Sequence, residues 1–327
     1  MSLEIVQGGL QMTLQDAGRN GYRSLGIHPT GAMDREALYM ANALVGNPDN
    51  TAACEIHFPT GQILFHSDAC VSITGSDFHP HLDGIPIDRN RLLMITAGSV
   101  LSFSRPNKGA RCYLAVAGGF GLDKWLDSAS TDLAARAGGW KGRALVKSDR
   151  IPFVKNYCFS SSLKTAPDIC FSENSLDGPV SILPGPEWNQ IPDIQKTKLF
   201  QQAWIVTSQS NRMGIRLQGE DPIGLEVTSM ISAATEFGTI QCLPNGELAV
   251  LMADHPVTGG YPRVAHLPYY EWSRLAQAMP GTVFFLRLTT QEQAHSRNQE
   301  YRMNSHKFRE AIRSAVQSYL HQHVIEC

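Results

Sequence analysis

Polar side chains suited to holding a small charged molecule cluster in Thr13-Leu14-Gln15-Asp16-Ala17-Gly18-Arg19-Asn20-Gly21-Tyr22, followed by Gly26 and Gly31-Ala32-Met33-Asp34. Gly18, Gly21 and Gly26 describe a loop whose backbone approaches something closely, because glycine leaves room for such contact. Gln15, Asp16, Arg19 and Asp34 together suit a polar ligand, with Arg19 gripping a carboxylate through its planar fork. The alternative is a buried structural pair of Asp16 and Arg19 that fixes the loop. Residue types alone do not choose between them.

A second cluster lies far along the chain. Asn211-Arg212 stands beside Gly214, Gln241 follows, and Asp254-His255 precedes Thr258-Gly259-Gly260-Tyr261-Pro262. A histidine titrates near neutrality, so His255 suits proton transfer, with Asp254 or another acid fixing its tautomer. Neighbours on a strand face opposite ways, so Asp254 and His255 cooperate only if the chain bends between them. The glycine pair beside Thr258 leaves backbone N–H groups open to an anion. Here too a structural alternative stands: Asp254 as a turn cap, His255 as a satisfied core histidine, Arg212 and Gln241 in hydrogen bonds at the end of a barrel.

Metal chemistry is weighed on Asp77, His79 and His81, whose alternation would place all three on one face of a strand, with zinc as the natural guest. With no further ligand cluster in view they are read as surface histidines, and no metal is expected. Seven scattered cysteines, never spaced as CxxC, argue against both a disulfide framework and a structural zinc site.

Composition sets further limits. A formal charge of −2 and a pI near 6.6 give no basic field for nucleic acid or anionic lipid. Apolar stretches such as Leu248 to Ala253 are far too short to span a bilayer. Glu4 and Gln7 interrupt any apolar leader, so a cytoplasmic location is expected.

The elements that must position these residues are mostly strands. Short apolar runs recur between turn residues: Ile63-Leu64-Phe65, Val71-Ser72-Ile73, Leu92-Leu93-Met94-Ile95, Val100-Leu101-Ser102-Phe103 and Tyr113-Leu114-Ala115-Val116. That spacing predicts antiparallel barrels or sandwiches rather than a doubly wound sheet. Helices are expected over Asp34 to Val45, with Asp34 as N-cap, over Tyr269 to Met279, and along the tail from Gln291. The tail's predicted stripe is Phe308, Ile312, Ala315, Tyr319 and Leu320. A Ser-, Asn- and Asp-rich stretch from Phe159 to Gly178 marks the expected boundary, giving domains 1–170 and 171–290 and a helical tail 291–327.

The string TLQDAGRNGYRSLG and then GAMDREALYMANALVGN resembles the N-terminal signature of the family of 5-oxoprolinase C-type subunits. That family is also known as the allophanate hydrolase subunit 2, biotin-dependent carboxyltransferase or KipA-like family. Collinear similarity continues through Ile73-Thr74-Gly75-Ser76-Asp77, Tyr113 to Gly119, Ser128-Ala129-Ser130-Thr131-Asp132, Ser210 to Leu217, Gly238-Thr239-Ile240-Gln241 and Met252 to Pro262. The resemblance spans roughly residues 1 to 290. It implies a mainly β chain of two cyclophilin-like β-barrel domains with a few short helices and a helical C-terminal tail. It also implies ATP-dependent opening of 5-oxoproline to glutamate, in company with A-type (LamB/YcsF-like) and B-type (KipI-like) partner subunits.

Two other activities are implied by relatives: carboxyl transfer from biotin on a separate carrier to urea or a similar amide, and a non-catalytic KipA-type regulatory role. All the enzymatic readings act on a resonance-stabilised amide, which demands stabilisation of oxygen charge. On this reading Asp16, Arg212, Asp254 and His255 are the catalytic candidates. Gln15, Arg19, Asp34, Gln241, Thr258, Gly259 and Tyr261 are the substrate-binding candidates, all converging on one polar cleft. ATP is expected at the level of the complex, because Gly138-Gly139-Trp140-Lys141-Gly142 has the wrong spacing for a phosphate loop. No Met-Lys-Met biotin attachment site occurs. One departure from the family pattern stands out: Ser232-Ala233-Ala234 replaces the usual Ser-Glu-Gly, which removes a carboxylate.

Overall fold

Apolar residues at alternate positions bury one face of each short strand, and the strands then have to close those faces on one another. The computed structural model describes residues 1–57, 61–106, 108–155, 157–158, 178–227 and 229–326. The chain divides into two units: Met1–Arg19, Thr30–Glu173 and Ser305–Cys327 form the first, Asn20–Pro29 and Asn174–Asn304 the second. The expected boundary at 170/171 lies outside the described residues.

Among the described residues the first unit holds two large antiparallel sheets, beside a two-stranded pair of Tyr157–Cys158 with Ile325–Glu326. One, six-stranded, orders Arg150–Pro152, Ser2–Gln7, Gln62–Phe65, Val100–Ser102, His81–Leu82 and Ile85–Pro86. The other, five-stranded, orders Gln11–Gln15, Ala53–His57, Arg111–Val116, Ala69–Gly75 and Leu92–Ile95. Every strand expected from the apolar runs is present. Leu3, Ile5, Met12, Leu14, Ile73 and Leu114 meet in one buried core.

Among the described residues, four α-helices accompany the strands: α1 (Arg35–Ala43), α2 (Asp193–Gln201), α3 (Trp272–Ala276) and α4 (Gln291–His323). Asp34 caps α1 as expected, its Oδ1 accepting from Ala37 N at 3.1 Å. Ser72 and Thr74 fasten α1 to the five-stranded sheet by donating to the carbonyls of Ala41 and Ala37 at 2.6 and 2.7 Å. In α4, Ile312, Val316 and Leu320 are buried in the apolar cluster around α1. Of the expected stripe, Ile312 and Leu320 are buried and Tyr319 packs against them, while Phe308 is 44% exposed, Ala315 faces out and Val316 takes a place on the buried face. The expected helix at 269–279 is a 3-10 turn, Tyr269–Glu271, running into the short α3.

The second unit is built on a barrel-like eight-stranded sheet. Its order is Val283–Phe284, Trp204–Val206, Gly214–Gly219, Leu248–Leu251, Thr239–Cys242, Arg263–His266, Val180–Pro184 and Leu286–Leu288. Only the last pair is parallel among the described residues. A two-stranded ribbon, Ala233–Ala234 with Thr258–Gly259, stands beside it. α2 was not foreseen: only Leu199 of its nine residues is buried, so no apolar period announces it. Among the described residues no helix is long and apolar enough to cross a membrane.

Candidate functional site

The strand Gln11–Gln15 ends at Asp16, which is 2% exposed and whose carboxylate accepts four hydrogen bonds. Oδ1 takes the Ser128 and Ser130 hydroxyls at 2.7 and 2.6 Å and the Gly18 amide at 2.8 Å, and Oδ2 takes the Ala129 amide at 2.7 Å. Those donors stand in for the water that a buried carboxyl group loses. Arg19, equally buried, donates Nη1 to the Thr30 hydroxyl, Nη2 to the Ser130 carbonyl and Nε to the Trp125 carbonyl, with its guanidinium carbon 4.5 Å from the centre of the Trp125 ring. Gly31 presses on Gly18 so closely that a Cβ there would stand 2.8 Å from the Gly18 nitrogen.

These contacts form a neck. Residues 16–19 and 30–32 are drawn together, with Ala32 N donating to the Asp16 carbonyl at 2.8 Å. The neck belongs to the first unit and the loop it closes, Asn20–Pro29, to the second. Gln15 is fully buried and donates to Thr13 Oγ1 and to the Thr131 carbonyl at 3.1 and 3.2 Å. Asp34 caps α1 while its amide donates to Tyr113 Oη, which donates in turn to Glu55. Gln15, Asp16, Arg19 and Asp34 thus all belong to the first unit, and each holds hydrogen bonds within it.

The second unit gathers the others. His255 is 1% exposed, and burial pulls its pKa down to about 4, so the ring is neutral at pH 7. Its Nδ1 lies 2.8 Å from the Pro256 carbonyl. A carbonyl only accepts, so Nδ1 carries the proton and Nε2 presents a lone pair. Thr235 donates its hydroxyl to the same Pro256 carbonyl at 2.5 Å and, from its amide, to the Val257 carbonyl at 3.0 Å. The tautomer of His255 is therefore set by a backbone oxygen.

Asp254 serves a different partner. Arg212 grips it through Nε and Nη2, both at 2.8 Å, and the Asp254 amide donates to the Arg212 carbonyl at 2.9 Å. The chain does bend here, since His255 N donates to the Met252 carbonyl, but the two side chains diverge. Gln241 donates to the Tyr261 carbonyl at 3.4 Å, and a Cβ on Gly259 would stand 2.5 Å from Gln241 Nε2. Thr258 and Tyr261 are exposed on the ribbon and its continuation.

The residues missed from sequence are Arg23, Thr235 and Glu236. Arg23 opens a 3-10 turn, Arg23–Leu25, that Gly26 ends with a φ of 76°. Its Nη2 donates to the Thr235 carbonyl, and its Nη1 lies 3.5 Å from Glu236 Oε1. Arg23 and His28 both help to lower the His255 pKa, and Glu236 opposes them. Arg23 stands inside the glycine-bracketed string itself, but nothing in the string says that its loop joins the second unit. Glu187 is held by three bonds from Arg263, which also reaches the Ala234 carbonyl.

Asp77, His79 and His81 line a cavity of about 430 Å³ with Pro80, Pro86, Ile87 and Ser104. They do not share a strand face. His79 has a φ of 45°, which no strand tolerates, and its amide turns back onto Asp77. Among the described residues no group of three metal-ligating side chains is poised for an ion.

Residues 25–287 match the family model described as carboxyltransferase domain, subdomain A and B, and the chain belongs to that family. It is 35% identical over 301 residues to the C-type subunit of 5-oxoprolinase from Escherichia coli (strain K12), an alignment that covers 92% of this chain and 96% of that protein. Against the C-type subunit of 5-oxoprolinase from Haemophilus influenzae the identity is 33% over 296 residues, covering 90% and 94%. The crystal structure of the Kluyveromyces lactis urea carboxylase matches with a TM-score of 0.84 at 25% identity, covering 94% of this chain and 29% of that one. The family expected from the motifs is the family found.

Proposed function

We infer that this chain is the C-type subunit of a cytoplasmic 5-oxoprolinase complex, a hydrolase that opens 5-oxoproline to glutamate at the expense of ATP. The observation that carries the reading is its near end-to-end similarity to the C-type subunits of two 5-oxoprolinases. The geometry of the second unit supports it. A cyclic amide resists water because its nitrogen lone pair is delocalised, so opening requires charge stabilisation on oxygen and a managed proton on nitrogen or water. His255 offers a neutral Nε2 to accept a hydrogen bond, and Arg23 offers positive charge beside it. An anion bound against Arg23 would raise the His255 pKa towards neutrality and make it a better base.

The nucleotide belongs to the complex. Gly138 and Gly139 pack on Ser130, Thr131 and Arg19, and the Gly142 amide closes a turn on the Gly138 carbonyl at 2.9 Å, so this glycine run is filled by protein rather than shaped for phosphate. Partners of the A type and B type complete the machinery. Coexpression with both, followed by an assay for ATP-dependent glutamate release, tests the reading. Release that needs all three chains is the expected result, and its absence with a stable complex would favour a KipA-type binding role.

A second reading, carboxyl transfer from a biotinylated carrier, draws on the match to urea carboxylase. It requires bicarbonate-dependent turnover of an amide that avidin blocks.

A further inference from the structure

Arg23 and His255 are tied together through Thr235. The Thr235 carbonyl accepts from Arg23, and the Thr235 hydroxyl shares the Pro256 carbonyl with His255 Nδ1. A guanidinium carries five N–H donors in a rigid fork. Thr235 uses one of them. Glu236 meets the rest only as a loose ion pair at 3.5 Å, with side chains 33% and 68% exposed. An exposed pair of this kind contributes little, so another carboxylate displaces it at small cost. The Arg23 backbone, by contrast, is fixed by the turn at Arg23–Leu25 and by the neck that closes its loop.

We propose that Arg23 is the residue that receives the carboxylate of the substrate, and that Glu236 holds that place until the substrate displaces it. This rests on the reading of the site as one for a cyclic amide acid, and it adds the group that distinguishes the acid from a neutral lactam. Two parallel N–H···O bonds to a carboxylate fix both charge and orientation, which sets the ring of the substrate relative to His255. Glu236 lies one residue beyond Thr235, so its release leaves the anchoring carbonyl in place.

The test compares wild type, Arg23→Ala, Arg23→Lys and Glu236→Gln in the reconstituted complex, with 5-oxoproline as substrate and 2-pyrrolidinone as a neutral competitor. Loss of hydrogen bonds to a charged group corresponds to about a 10- to 100-fold effect. We expect Arg23→Ala to raise the KM for 5-oxoproline by about that factor while the Ki of 2-pyrrolidinone stays unchanged. Arg23→Lys restores part of the loss, and Glu236→Gln lowers KM. An unchanged KM in Arg23→Ala, or an equal weakening of the neutral lactam, overturns the proposal. If wild type releases no glutamate, the functional reading fails instead. Direct titration of the chain with 5-oxoproline then decides this one: binding lost in Arg23→Ala supports it, and absence of binding to wild type overturns it.

Discussion

Arg19 reaches across the base of its own loop to donate Nη1 to the hydroxyl of Thr30. Thr30 is held at a φ of 52°, a left-handed conformation that a β-branched residue adopts only under constraint. Both residues are fully buried. The hydroxyl is the reason for threonine at a position where the backbone favours glycine or asparagine.

Thr30→Ala should therefore destabilise the protein by about 1–3 kcal/mol, since an arginine donor loses its acceptor in a buried setting. Thr30→Ser should keep most of the stability. Urea denaturation of the two variants checks this, and equal stabilities would count against the neck.

The Asp16 carboxylate organises the same neck through four donors. An asparagine offers one acceptor oxygen and turns an NH2 group towards donors. Asp16→Asn should cost about 3 kcal/mol or more. Thermal melting read alongside Ser130→Ala, which removes one donor and should cost about 1–2 kcal/mol, would rank them; the reverse order would contradict the geometry.

His255 is neutral in the fold and ordinary in the unfolded chain. Its folded pKa of about 4 lies below the unfolded value near 6.5. The unfolded chain thus binds the extra proton first as pH falls. The stability associated with neutral His255 is complete above pH 6.5 and declines towards pH 4, by up to about 3 kcal/mol. His255→Gln should flatten this part of the stability profile. NMR titration of the wild-type ring should show its midpoint well below the ordinary histidine value, and a midpoint near 6.5 would refute the burial argument.

Arg212 and Asp254 form a two-bond pair at 5% and 14% exposure. Breaking one side strands a buried charge, so Arg212→Met and Asp254→Leu should together cost less than the sum of their separate effects. A double-mutant cycle should return a coupling of about 1–3 kcal/mol. Strict additivity would show the pair to be energetically idle.

Strands, the N-cap of α1 and the family were legible in the sequence, because alternation, capping chemistry and collinear motifs are local. Asp34 before Arg35–Ala43 is an example: the cap and the helix are neighbours in the chain. The alternatives left open for Asp16 and Arg19 were not resolvable in that way. Their partners, Ser128, Ser130 and Trp125, lie more than a hundred residues away.

The candidate site shows the same division. Sequence alone determined which side chains carry charge and titratable protons, including Asp254, His255 and Arg212, and that glycines bracket them. It did not determine that Asp254 turns to Arg212 while His255 turns to Pro256, although the two are adjacent. Nor did it place Arg23 beside Thr235 and Glu236, far along the chain. Only the tertiary structure decided these, because hydrogen-bond partners and burial are set by which backbone oxygens the packed sheets bring within about 3 Å, and that proximity is written in no local stretch of residues.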